Sequence, residues 1–497
     1  MIVLIIGTLT PMSLMANTTP LGLLFGGPTV PIFFLIAAVV VGVFCVGYVQ
    51  MVRRISRPGA YYSYIAKGLG RRVGVGAAYA GAVTYAAVIV GGWAVGAYVT
   101  AAILPTIGLF PTATPDQLFP WVFVAMILVV GFLVRREIDV SAVVGLIIVA
   151  VEILVMAVFV IAVVVQHGLD FAVFTPTTFE YGDWRVALIF AVLGFQSFES
   201  GAMYAPEATR PERTIPRALY GSLAILAAAA VFSSWALISH VGIANLQTTI
   251  GEHGGIGYVL ALMAHYLGPA GTVVFSTALI LSNVLGTLGL TNFAARYLNG
   301  LAKDDLLPRW FSSTNTHGAP NTCLYAVIGL AALASGACLV FGAAPYVQLT
   351  PIGFGLATIG STVLLLLSSM SVIGFFRQLP ASAGHWWKTG AAPVLASVLI
   401  VVTIGLELWG FGYITGSSEP WTNYLPVLIA AVLITGFLVA VWLRRNRPEV
   451  YADLGAGDSA EEAREVRARR LRASGVLDTP QAADNLGARD GGTEVVR

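Results

Sequence analysis

Apolar runs long enough to cross a lipid bilayer recur from Met1 to Leu443, and no other feature constrains the fold of this chain as strongly. A helix needs about 20 predominantly apolar residues to span the hydrocarbon core. Breaks at Pro, Gly and charged residues divide the chain into twelve such runs. The first four are Met1 to Gly26, Val30 to Val52, Val73 to Leu104 and Leu118 to Val134. The next four are Val140 to Val165, Arg185 to Ala205, Ala218 to Gly242 and Ala270 to Leu298. The last four are Asn321 to Phe341, Val347 to Phe375, Ala391 to Phe411 and Tyr424 to Leu443. Backbone in lipid must satisfy its own hydrogen bonds, which leaves helices or closed barrels. Barrel strands would alternate over short segments, whereas these runs are continuous. The expectation is an all-α integral membrane protein with twelve transmembrane helices.

Composition agrees: 10% of the residues are charged, against about 25% in a soluble domain. The first run has no basic stretch before it and leads into further spans, so it reads as a membrane helix and not as a signal peptide. Basic residues recur in alternate loops, as Arg53, Arg54 and Arg57, then Arg135 and Arg136, then Arg210, Arg213 and Arg217, and later Arg444, Arg445 and Arg447. The intervening loops carry acids, with Arg185 as the basic exception. Positive charge favours the cytoplasmic side, so both termini are expected in the cytoplasm, in a plasma membrane that is expected to be a bacterial inner membrane. Residues 1–443 form the expected transmembrane domain, and 444–497 a disordered cytoplasmic tail with a short helix at Glu461 to Leu471.

Several classes of function are disfavoured. No basic face suggests a nucleic acid partner, and Cys45, Cys323 and Cys338 have no metal-ligand spacing. The phosphate-binding G-x-x-x-x-G-K-S/T loop is absent, as is any hydrolase-type cluster. No cofactor, no metal and no enzyme activity are expected.

Two spans are poor helices. The first contains Thr8, Thr10, Pro11, Ser13, Asn17, Thr18, Thr19 and Pro20, and proline removes a ladder hydrogen bond. The sixth contains Gly194, Phe195, Gln196, Ser197, Phe198, Glu199, Ser200 and Gly201. The two lie five spans apart, so a repeated five-helix unit would enter the membrane from the opposite side. That pattern predicts an inverted repeat, about 1–166 and 185–375, with a midplane site between two discontinuous helices and extra helices at 391–443. Substrate-binding candidates are Thr10, Pro11, Met12, Ser13 and Leu14 from span one, and Gln196, Ser197, Phe198, Glu199 and Gly201 from span six.

The loop Arg57-Pro58-Gly59-Ala60-Tyr61-Tyr62-Ser63-Tyr64 resembles a segment of the amino acid–polyamine–organocation transporter family. The stretch Ser197-Phe198-Glu199-Ser200, continuing through Pro206-Glu207 to Pro216-Arg217-Ala218, is similar to that family's sixth-helix signature. A third match joins Asn292, Arg296 and Tyr297 to Leu306-Leu307-Pro308. The resemblance implies a five-plus-five inverted repeat plus two helices, moving amino acids or amines by proton coupling, sodium coupling or exchange. Thr8 to Ser13 stand where the family carries G-x-G, Ser197 where it carries Gly, and Pro206 where it carries Glu.

Glu152 lies among Val, Ile and Leu deep in span five. Ionisable residues at such depth are costly and mark ion or proton pathways, so Glu152, with Glu199, is the expected coupling group. Glu407 is expected at the outer interface, and His240 and His265 read as isolated polar fillers. The expected function is secondary active transport of amino acids or related amines by alternating access, coupled to H+ with Na+ as the other candidate ion. An exchanger without net ion coupling, or a non-transporting nutrient sensor on the same scaffold, are the alternatives.

Overall fold

The computed structural model describes residues 10–55, 60–135, 142–195, 211–315, 319–380, 384–416 and 420–454. Every regular element among them is helical. Ten of the described stretches are long and apolar enough to cross a membrane.

Two of these stretches are too long to be one rod. Pro11–Val52 has 42 residues, about 63 Å as a straight helix, twice the core thickness of about 30 Å. It divides into α1, made of Pro11–Ser13, the π turn Leu14–Thr18 and Thr19–Gly26, and then α2, Val30–Val52. Gly27 makes the division with φ 78°, and a Cβ there would come 2.8 Å from the Tyr181 carbonyl oxygen. Only glycine takes that turn in that space.

The central helices follow as α3 (Ala60–Leu69), α4 (Arg71–Ile103), α5 (Pro115–Arg135) and α6 (Ala142–His167). A short apolar helix, α7 (Trp184–Leu193), precedes α8 (Pro211–Val241) and α9 (Leu246–His253). The second overlong stretch is α10, Gly255–Lys303, kinked at Gly268 with φ 67° and followed by Pro269. The remaining helices are α11 (Asn321–Val340), α12 (Pro345–Arg377), α13 (Ala392–Trp409), α14 (Phe411–Thr415), α15 (Leu425–Asn446) and α16 (Pro448–Asp453).

Helix α4 is the hub, packing on α12, α15, α10, α5 and α11. Lipid gives helices no hydrophobic reason to associate, so close backbone approach through small residues takes over. A Cβ on Gly76 would sit 2.7 Å from the Leu433 carbonyl oxygen, and one on Gly436 would sit 2.7 Å from that of Val75. On the α12 side, a Cβ on Gly353 would meet the Ala87 oxygen at 2.6 Å.

The structure departs from the sequence reading in two places. The Tyr-rich loop after span two is helical from Ala60, because Tyr61, Tyr64 and Ile65 turn inward against the Phe44–Tyr48 stack of α2. The folded chain runs past Leu443 to Leu454, whose carbonyl accepts from Arg71 Nε at 3.0 Å. Residues 455–497, and the helix expected at Glu461 to Leu471, lie outside the described residues. Arg185, the basic exception among the acidic loops, is neutralised locally. Its guanidinium donates to both Asp183 oxygens at 2.9 Å and lies 4.1 Å over the Trp409 ring. That fork holds the Asp183 carboxyl below its usual range while Asp183 caps α7 through Arg185 N–H.

Candidate functional site

The described part of α1 begins under strain. Thr10, a β-branched residue, has φ 41° and ψ 84°, a conformation such side chains rarely take. The following proline excludes the α region for the residue before it. Pro11 itself has no N–H, so Met12 offers one of the first orphan donors of the helix. That N–H points at Glu152 Oε2 of α6 at 3.5 Å. The next turn is a π turn, and its Asn17 amide donates to Ser13 Oγ at 3.0 Å. Single π turns are concentrated at functional sites.

Beside this break lies a cavity of about 130 Å³. α1 contributes Thr10, Ser13, Leu14 and Thr18 to its wall, and α4 contributes Val88, Gly92, Val95 and Gly96. Leu193 and Gly194 close it at the end of α7, and Phe354 of α12 forms one side. The α10 wall is Ser282, Asn283, Gly286, Thr287 and Leu290. Glycines keep the space open. A Cβ on Gly286 would stand 2.9 Å from Thr10 Cγ2, and one on Gly194 would stand 2.8 Å from Leu14 Cδ1. The volume is near that of an engineered cavity of about 150 Å³ that admits benzene, so it suits a small organic molecule.

The wall is apolar with a polar end. Ser282 and Asn283 are buried, and Asn283 Nδ2 has no hydrogen-bond partner among the described residues. Glu152 is fully buried beside Ser282 of this wall. No charged side chain lines the cavity among the described residues. Buried polar groups left unpaired cost free energy. A ligand that supplies matching donors or acceptors would recover it.

The first expected group is therefore brought together: Thr10, Ser13 and Leu14 line the cavity, while Pro11 and Met12 sit behind it. Gln196, Ser197, Phe198, Glu199 and Gly201 lie outside the described residues, although α7 ends at the cavity. Sequence reasoning points to spans three and eight, α4 and α10, as further contacts without naming their wall residues, and it missed the α12 wall. Two signals were present: Gly92 and Gly96 fall one turn apart, as do Ser282 with Gly286 and Asn283 with Thr287.

A family model described as amino acid permease matches residues 1–452. The chain belongs to this family. A branched-chain amino acid permease of Lactococcus lactis is 26% identical over 353 residues, covering 68% of this chain and 74% of the relative. An uncharacterised transporter of Mycobacterium bovis is 24% identical over 414 residues, 77% of this chain and 80% of the relative. A corresponding transporter of Mycobacterium tuberculosis is 25% identical over 416 residues, with the same coverage. This permease is accordingly a multi-pass membrane protein, a transporter and not an enzyme.

Two further positions of the permease correct the sequence reading. Glu407, expected at the outer interface, is not exposed. It is fully buried on α13, with Oε1 2.9 Å from Thr362 Oγ1 of α12. His240 and His265 are not isolated. They meet His167 around Tyr266, because the kink at Gly268 folds the start of α10 back onto the ends of α6 and α8.

Proposed function

We propose that this permease is a secondary active transporter of amino acids or related amines, working by alternating access around the cavity at the break in α1. The observation that carries the reading is the meeting of three features in one place. These are a strained helix start, a small cavity with an unpaired polar end, and the buried Glu152. Half-helix ends inside a membrane protein offer free backbone groups to a substrate's charges. The mostly apolar wall favours an aliphatic side chain, in keeping with the branched-chain amino acids for which the Lactococcus lactis relative is named.

The proposed architecture is twelve spans in a five-plus-five inverted repeat with discontinuous helices one and six, and both termini in the cytoplasm. Pro11–Val52 counts as two spans, and α7 with the residues after it supplies another. Added to the other nine stretches, these give twelve. Glu152 is the proposed proton site and Glu199 its counterpart in span six.

A second reading rests on the Met12 contact. A carboxyl that braces the start of α1 need not exchange its proton in each cycle, which fits an exchanger. Uptake of branched-chain amino acids into proteoliposomes, with and without an inward proton gradient, distinguishes the two. Coupling through Glu152 predicts gradient-driven uptake that Glu152→Gln abolishes while counterflow survives. Gradient-driven uptake that persists in Glu152→Gln would overturn that role, and uptake unaffected by any gradient would favour exchange.

A further inference from the structure

Three histidines and a tyrosine converge where α6, α8 and the first segment of α10 meet. Tyr266 Oη lies 2.8 Å from His240 Nδ1 and 2.9 Å from His167 Nδ1. The His167 and His240 rings are 5.4 Å apart, and His265 is 5.2 Å from His240. Tyr266 is buried, whereas His167 and His265 are exposed to the medium or interface. One phenol thus ties together three helices that are distant in sequence.

We propose that this group is a proton-operated catch, holding the segment 255–267 of α10 at neutral pH and releasing it in acid. The hydrogen count gives the mechanism. A phenol has one hydrogen. With both imidazoles neutral, Tyr266 donates to one Nδ1 and accepts from the Nδ1–H of the other. A first proton enters at Nε2 of the donating imidazole and leaves both bonds intact. A second proton, on the accepting Nδ1, turns that nitrogen into a donor. The phenol hydrogen is then displaced, and two cationic rings face each other with a third histidine alongside. Histidine is the side chain whose ordinary pKa places this change near neutrality.

Other titratable groups surround the catch without neutralising it. Asp170, on the connector after α6, spends Oδ1 on the Ala172 N–H, and its backbone binds Ser239 and Trp235. Tyr258 donates to the Leu237 carbonyl, and His253 of α9 lies against Tyr258. Glu252 also sits on α9 and is exposed. No carboxylate pairs with the three rings among the described residues.

The released segment bears on the cavity helix. α9 reaches α1 through Gln247 Nε2, which donates to the Leu24 carbonyl at 2.9 Å. Gly255 sits over Pro20 of α1, where an added Cβ would come within 3.5 Å. Freeing 255–267 therefore loosens the cover on the second half of α1. The positive φ at Gly268 supplies the hinge.

Hydrogen exchange on the full-length permease in nanodiscs, at about pH 7.5 and about pH 5, tests this without relying on transport. Rates are corrected for the intrinsic pH dependence of exchange. In wild type, amides 255–267 should exchange about tenfold faster in acid, as for loss of one hydrogen bond. The double variant His167→Gln/His240→Gln should lose the pH difference, and Tyr266→Phe, which removes only the hydroxyl, should exchange fast at both values. Glu152→Gln should keep the wild-type response, separating the catch from the proposed coupling site. Wild-type exchange that is insensitive to pH, or an unchanged acid response in the double variant, overturns the proposal.

Discussion

Glu152 and Glu407 are both fully buried carboxyls on apolar helices, yet their surroundings differ. Glu152 meets the Met12 N–H at the strained start of α1 and lies beside Ser282 of the cavity wall. Glu407 faces the continuous helix α12, where the Thr362 hydroxyl also reaches the Thr358 carbonyl at 2.9 Å. Burial alone therefore does not assign a role to a membrane carboxyl. The freedom of its partners to rearrange does.

The contrast is open to direct attack. The largest effect expected is at Glu152: Glu152→Gln should reduce gradient-driven uptake to background, while Glu407→Gln should stay within about twofold of wild type. Equal losses in both variants would erase the distinction. Next in size is Gly286→Val, which puts a branched side chain against Thr10. It should abolish the ligand-induced rise in melting temperature, whereas Gly405→Ala, in open space, should retain it. Third, Thr362→Val leaves Glu407 without its hydroxyl partner, for about 1–3 kcal/mol of lost stability. Melting temperature in detergent should fall in Thr362→Val and recover in Thr362→Ser.

The smallest effect concerns Asp183, outside both carboxyl sites. Asp183→Ala removes the α7 cap at a cost of about 1 kcal/mol. Because Arg185 lowers the Asp183 pKa, the cap's contribution is present above the ordinary carboxyl range and is lost as pH falls through the lowered value. Melting temperature measured from neutral to acid pH should converge for wild type and Asp183→Ala at the acid end. Parallel curves would deny the cap any charge dependence.

Much of this was legible in the chain itself. Long apolar runs bounded by Gly and Pro gave most helix limits, since a span must satisfy its own backbone and has a fixed minimum length. The breaks at Gly27 and at Gly268–Pro269 fell where those residues punctuate the runs. Thr10 to Leu14 stood out because hydroxyls and a proline in an apolar run interrupt the helical hydrogen-bond ladder. The Ser282 and Asn283 wall was hidden, because small polar residues in a membrane helix look the same whether they face a cavity or a neighbouring helix.

The sequence by itself determined that this is a many-spanning helical membrane protein with an interrupted first helix, for those properties depend on composition and local backbone chemistry. Only the tertiary structure decided which distant residues meet. It put Glu152 against Met12, 140 positions away, Glu407 against Thr362, and three scattered histidines around one phenol. Helix periodicity says which face a residue occupies. It cannot say which helix packs on that face, because in lipid the choice is made by close backbone contacts such as Gly76–Leu433 and Gly353–Ala87.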